Sequence, residues 1–165
     1  METWQNIDTA PPEAAREILR RACESARWID RMVARRPFRG HSRLLAAARV
    51  EGFGLGEADW LEAFSHHPKI GDRASLEARF PATHHLAAQE QSAVGAAGTD
   101  VIDALAEANQ IYLDRFGFIF IVCATGKSAA EMLQLLRDRL ANNRATELRF
   151  AAEEQSKITA LRLTP

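Results

Sequence analysis

Cysteine is nearly absent from this chain: Cys23 and Cys123 are the only two, far apart and in no Cys-x-x-Cys spacing. That argues against a disulfide framework and for reduced thiols in a cytosolic protein. Charge of one sign is also lacking, since 21 Lys and Arg stand against 22 Asp and Glu for a formal net charge of −1. A nucleic-acid partner is therefore not expected, because such binders carry a basic footprint. Long apolar runs are missing too. The longest, Phe116 to Ala124, is interrupted by Gly117 and falls far short of the ~20 residues of a membrane span. Met1 to Ala10 is mixed and polar with no apolar signal region, and Leu161-Arg162-Leu163-Thr164-Pro165 is no peroxisomal Ser-Lys-Leu signal. Cytoplasm is the expected location, with no membrane partner. There are no internal repeats and no low-complexity tract. What is present is ordinary globular composition, 47% hydrophobic and 26% charged over 165 residues. That is one domain, 1–165, able to bury on the order of 70% of its unfolded surface without staples.

Hydrophobic periodicity is helical almost throughout. Pro11-Pro12-Glu13 reads as a helix start, and Ala15, Ile18, Leu19, Ala22, Ala26, Ile29 and Val33 then recur at steps of three and four, predicting one long amphipathic helix that ends at Arg36-Pro37-Phe38. Ser42 is the expected cap of a second helix through Leu44, Leu45, Ala48 and Val50, closed by Gly52, Gly54 and Gly56. A short helix over Glu57 to Phe64 precedes a loop carrying His66-His67-Pro68-Lys69-Ile70-Gly71-Asp72. Further on, a helical stretch from Leu86 to Val94 is followed by Gly95 and Gly98, with Thr99-Asp100 as the cap of a helix through Val101, Ile102, Leu105, Ala108 and Tyr112. The apolar run Phe116 to Ala124 fits a buried strand or an extended core segment equally well. Ser128 and Glu131 form a capping box for a helix through Met132, Leu133, Leu136 and Leu140, Asn142-Asn143 breaks it, and a last helix starts near Thr146. The sum is an all-α single-domain bundle of about seven helices with one extended apolar segment.

Five histidines, at 41, 66, 67, 84 and 85, raise the question of a metal. Neither His66-His67 nor His84-His85 has the i, i+4 spacing that turns two imidazoles toward one ion, so no metal site is expected. Gly52-x-Gly54-x-Gly56 lacks the preceding strand and following Lys-Ser/Thr of a phosphate loop. His67-Pro68 stands apart, because proline restricts the backbone beside an imidazole that an acid or base role requires to be held in reach of its substrate. Glu90-Gln91 offers a carboxylate beside an amide. Each alone is also compatible with an ordinary polar surface.

Together they form a pattern. Trp60-Leu61-Glu62-Ala63-Phe64-Ser65-His66-His67-Pro68-Lys69-Ile70-Gly71, then Glu90-Gln91, then Asn109-x-x-Tyr112-x-x-x-Phe116-Gly117-Phe118-x-Phe120-Ile121-Val122-Cys123-Ala124, then Lys157-Ile158-x-x-Leu161-Arg162-Leu163 resemble, in order, the 2-oxo-4-hydroxy-4-carboxy-5-ureidoimidazoline (OHCU) decarboxylase family. Cys23-Glu24-Ser25-Ala26-Arg27-Trp28 and Met32 to Phe38 resemble its bacterial branch, so the likeness covers nearly the whole chain. It implies cofactor-independent decarboxylation of OHCU to (S)-allantoin, the last step from urate. By the same resemblance His67 is the catalytic histidine with Glu90 as its catalytic companion. Pro68, Ala87, Gln91, Arg162 and the segment Phe120, Ile121, Val122, Cys123, Ala124 bind substrate. Ala87 departs from the family, which commonly has serine there, so a hydroxyl contact is missing or is supplied otherwise. The resemblance further implies a homodimer, no cofactor, and urate oxidase and hydroxyisourate hydrolase as pathway neighbours. Two alternatives stand beside it: a histidine-rich metal-dependent hydrolase, and a non-catalytic helical interaction module docking through Phe38, Trp60 and the apolar run.

Overall fold

The structure is a computed structural model that describes residues 2–67 and 94–164, with backbone alone for 94–99. Among the described residues it is all-helical, with eight helices: α1 (Thr3–Thr9), α2 (Pro12–Arg20), α3 (Ala26–Ala34), α4 (His41–Phe53), α5 (Glu57–Ser65), α6 (Val94–Phe116), α7 (Ala129–Arg139) and α8 (Arg144–Leu163). None of them is long and apolar enough to cross a membrane. The chain divides into two compact units, one of Met1–His67, Ile121–Cys123 and Leu148–Pro165, the other of Pro68–Phe120 and Ala124–Glu147.

In the first unit the expected long N-terminal helix is two helices. Leu19 closes α2 by accepting from the backbone N–H groups of Ala22 and Cys23, and the Ser25 hydroxyl accepts from Trp28 N–H at 3.4 Å to cap α3. The apolar period runs across the break because Ala22 and Cys23 are themselves buried between the helices. A period reports which residues face inward and is blind to a turn that keeps them inward. Trp28 is fully buried and anchors α3 on α4 by donating its indole N–H to the Ala48 carbonyl at 3.1 Å. The polar N-terminus forms α1, which the sequence did not announce, and Ile7 carries it into a core with Leu19, Trp28, Met32, Leu44, Ala63 and Leu163. Helix α4 begins at His41 with Gly40 in the cap position, so Ser42 lies in its first turn and does not cap it. Helix α5 matches the expected Glu57 to Phe64 within one residue.

In the second unit α6 runs unbroken through Gly95, Gly98 and Thr99-Asp100, so the cap expected there does not exist. A glycine costs a helix interior about 1 kcal/mol, and a helix of 23 residues absorbs two of them. It stops where the chain turns at Gly117, whose φ of 77° suits a residue without a Cβ and whose N–H reaches the Leu113 carbonyl at 2.8 Å. Helix α7 packs along α6 and starts at the Ser128–Glu131 capping box as expected. Tyr112, Phe116, Phe118 and Phe120 form a tilted and edge-on aromatic cluster. The fully buried Glu147 accepts from the Tyr112 hydroxyl, from Arg139 Nε at 2.6 Å and from Asn142 Nδ2 at 2.9 Å. Asn142-Asn143 separates α7 from α8, and the Asn143 side chain caps α8 by accepting from Thr146 N–H at 2.9 Å. Residues 119–124 carry neither helix nor strand pairing, which resolves the apolar run as an extended segment.

Candidate active site

His67 lies just past the end of α5, where its backbone N–H still reaches the Phe64 carbonyl at 3.1 Å. Its half-buried imidazole turns to α8, with Nε2 at 2.6 Å from Oε1 of Gln155. His66 turns elsewhere, its Nδ1 lying 3.0 Å from the Glu24 carboxylate at the surface. The two adjacent rings thus diverge, about 100° apart as neighbouring side chains on a helix are. Among the described residues no three His, Cys, Asp or Glu side chains converge as a metal site would require.

Gln155 is itself buried, at 6% exposure, and its Nε2 donates to Thr159 Oγ1 at 3.2 Å one turn further along α8. Thr159 is buried too, and its hydroxyl lies close enough to the Cys23 thiol to favour the thiolate. Burial is the largest influence on that thiol and pushes its pKa up, while the Thr159 hydroxyl and the nearby Arg162 charge pull the other way. Arg162 donates to the Ala22 carbonyl at 3.3 Å. Residues 155, 159 and 162 recur at steps of four and three, so one face of α8 carries Gln155, Thr159 and Arg162. Seven residues separate the first from the last, about 10 Å along the axis.

The extended segment is tied to the same helix. Ile121 and Val122 are buried in the first unit, and the backbone N–H of Cys123 donates to Glu154 Oε2 at 2.7 Å. Glu154 also pairs with Lys157, whose pKa the bond raises. Phe120 belongs by its contacts to the second unit, where Tyr112 meets its ring edge-on and Arg139 lies over its face at 4.6 Å. The Ala124 carbonyl accepts from Lys127 N–H in the turn that follows.

Of the expected site residues, the structure brings His67, Ile121, Val122, Cys123 and Arg162 into the first unit, with α8 contacting His67 through Gln155 and Cys123 through Glu154. Pro68, Ala87, Glu90 and Gln91 lie outside the described residues. Glu154, Gln155 and Thr159 were not read from the sequence. The signal was available in Arg162: stepping back three and seven residues along a helix gives Thr159 and Gln155.

A family model described as OHCU decarboxylase matches residues 8–164. The "Uric acid degradation bifunctional protein TTL" of Arabidopsis thaliana is 36% identical over 141 residues, 86% of this chain but 44% of that longer protein. The chain therefore spans less than half of that relative. A 2-oxo-4-hydroxy-4-carboxy-5-ureidoimidazoline decarboxylase of Halalkalicoccus jeotgali is 26% identical, covering 98% of this chain and 89% of its own length. The crystal structure of an OHCU decarboxylase in the presence of (S)-allantoin has a TM-score of 0.71 and 35% identity, covering 93% of this chain and 96% of the other. A match that runs from residue 8 to residue 164 leaves only the termini outside it, and this chain belongs to the OHCU decarboxylase family.

Proposed function

We propose that this protein decarboxylates OHCU to (S)-allantoin and CO2, with residues 1–165 acting as one catalytic domain and His67 as the acid/base group. The observation that carries the reading is the His67 imidazole, half-buried beyond the end of α5 and held at 2.6 Å by the buried Gln155 amide. A histidine on an ordinary surface turn has no such fixed partner; His66, paired with Glu24 next door, shows the contrast.

The substrate supplies its own electron sink. When the bond to the carboxylate breaks, its electron pair forms a double bond to the ureido-bearing ring carbon, and the ring C=N electrons move onto nitrogen, which takes up a proton. The hydroxyl proton then leaves to give the carbonyl, and the ureido-bearing carbon gains a proton on one face, which sets the S configuration. No external sink is needed, so the protein's task is to orient the carboxylate, exclude water and move protons. His67 sits beside the substrate hydroxyl and serves as the proton carrier. Glu90 holds either the imidazole or the ureido N–H groups, and Gln91 pairs with the neutral amide edges. Pro68 and Ala87 complete the wall. Backbone groups of Phe120, Ile121, Val122, Cys123 and Ala124 contact the ring, fixed donors and acceptors that lose no side-chain entropy on binding. Arg162 grips a ring or ureido oxygen with its planar fork, since an ion pair to the departing carboxylate would stabilise the ground state and slow its loss.

The same reading places the protein in the cytoplasm as a homodimer, downstream of urate oxidase and hydroxyisourate hydrolase activities. OHCU decays spontaneously to racemic allantoin, so the decisive experiment follows chirality. Circular dichroism of allantoin formed from fresh OHCU should show an excess of the S enantiomer only with the protein present. A racemic product at unchanged rate refutes the assignment.

A further inference from the structure

We propose that the cleft between α4 and α8 is the surface on which two copies of this chain pair, with Arg49 of each copy against Glu153 of the other. The inference rests on the proposed homodimer and adds where the two copies meet; it does not depend on the chemistry assigned to His67. The cleft holds about 660 Å³ and lies wholly within the first unit. Arg49 and Phe53 line it from α4 and Glu153 from α8, and the side chains of Ala46, Ser156 and Ala160 are too small to close it. Each helix buries a different face in the core of its own chain, with Leu44 and Glu51 on α4 and Gln155 and Thr159 on α8. The cleft therefore shows a second face of both helices, and large apolar side chains stand on it. Phe53 is 43% exposed, and Val50, three residues before it, is 57% exposed. On α8, Leu161 follows Ala160 and is 50% exposed. Apolar side chains left together around a cleft in this way mark a contact surface.

Charge decides what covers it. Among the described residues neither Arg49 nor Glu153 has an ion-pair partner. The Arg49 guanidinium lies over the Phe53 ring at 5.7 Å, and the Lys157 ammonium, which senses the Glu153 charge, is itself bonded to Glu154. The cleft thus offers one charge of each sign, from opposite walls. A uniformly acidic partner would suit Arg49 and be repelled by Glu153, and a basic one would do the reverse. A second copy matches both. Turned by a two-fold axis running along the cleft, it lays its α8 over α4 and its α4 over α8, so that each contact is made twice. The two ion pairs fix the register, because like charges facing each other are costly. The Phe53 rings, entering the partner's cleft beside the small side chains, serve as the aromatic anchors on which affinity depends.

Sedimentation of the full chain tests the claim, with circular dichroism of every variant to check its fold. Wild type should sediment as a dimer at micromolar concentration. Arg49→Glu and Glu153→Arg each set like charges opposite one another twice per dimer, and each should raise the dissociation constant about 10-fold or more. Mixed in equal amounts, the two single variants should form a heterodimer of near wild-type affinity, because each chain brings the charge that the other lacks. The double variant Arg49→Glu/Glu153→Arg should recover pairing by itself. Ala160→Arg, which fills the cleft, should leave the chain monomeric. A monomeric wild type overturns the surface and the homodimer together, and leaves the cleft to a different protein or an amphiphilic small molecule. A dimeric wild type whose single variants pair as tightly as it does overturns the surface alone, as does a weakening that mixing fails to repair. Arg49 and Glu153 are both exposed, so their substitution spares the core, and the mixing experiment decides even if Ala160→Arg does not fold. If wild-type protein gives no excess of (S)-allantoin, the functional reading fails by itself, and sedimentation still decides where the copies meet.

Discussion

Two adjacent histidines with opposite surroundings give the sharpest residue-level contrast. His66 sits at the surface against Glu24, whereas His67 meets a buried amide. His67→Asn should therefore cost the acid/base contribution, about 10²- to 10⁴-fold in kcat, while His66→Gln should leave kcat within about twofold and change the melting temperature little, as exposed ion pairs contribute only about 0–1 kcal/mol. Steady-state kinetics of the two variants on fresh OHCU checks both. Equal losses would mean that the assignment to one ring is wrong. Glu154 belongs at the same scale, because its carboxylate takes the Cys123 backbone N–H at 2.7 Å. Glu154→Ala loses a charge-assisted bond of about 1.5–3 kcal/mol and frees the segment proposed to contact the substrate ring, so KM should rise more than kcat falls. Glu154→Gln, which keeps an acceptor oxygen, should recover most of the loss. His67 was legible in sequence because a motif carries it. Glu154 was not, since a glutamate on a polar helix gives no sign of which neighbour it will meet, and Gln155 was legible only through its seven-residue spacing from Arg162.

Helix ends were the most and the least legible features at the scale of elements. Pro12 at the first position of α2 and the Ser128–Glu131 box of α7 are short-range chemistry: the residues that satisfy the orphan N–H groups sit within one turn of them. The break between α2 and α3 depends instead on Ala22 and Cys23 finding a core to enter, which no local rule contains. The unbroken course of α6 through two glycines is the same lesson reversed, since a local preference for a break was not followed. Ser128→Ala should cost about 1 kcal/mol of stability, measured by denaturant unfolding near neutral pH. The Ser128 bonds hold the Glu131 carboxyl below the ordinary carboxylate range, the backbone bond contributing most. A lowered pKa means that the contribution is present above the unfolded value and disappears as pH falls through the folded one. The gap between wild type and Ser128→Ala should accordingly narrow in acid. A gap that stays constant from neutral pH down to full protonation of Glu131 would show that the hydroxyl acts without the carboxylate.

At the scale of the molecule, a buried charge cluster in the second unit carries large leverage on stability. Glu147, with no exposure at all, gathers the Tyr112 hydroxyl, Arg139 and Asn142 in the second unit. Folded proteins hold together by only about 5–15 kcal/mol, and removing one partner of a buried pair costs about 3–5 kcal/mol because the other charge stays behind. Glu147→Leu removes the carboxylate partner of the Arg139 guanidinium, whose side chain is 11% exposed, so it should lower the melting temperature by roughly 6–20 °C. Burial, and then the bond to Glu147, raises the Tyr112 phenol above its ordinary value of 10.0. A raised pKa gives stability that is complete below the unfolded value and is lost as pH climbs above it, since the unfolded chain releases a proton that the folded one retains. Between pH 9 and 11, which brackets that value, wild-type unfolding free energy should decline with a component that Tyr112→Phe does not show. The phenylalanine variant starts lower, because it leaves one lone pair of Glu147 without its donor, and the two curves should converge as pH rises. Parallel curves would mean that the Tyr112 proton is not held by the fold, and the account of Glu147 as the organiser of this unit would fail with it.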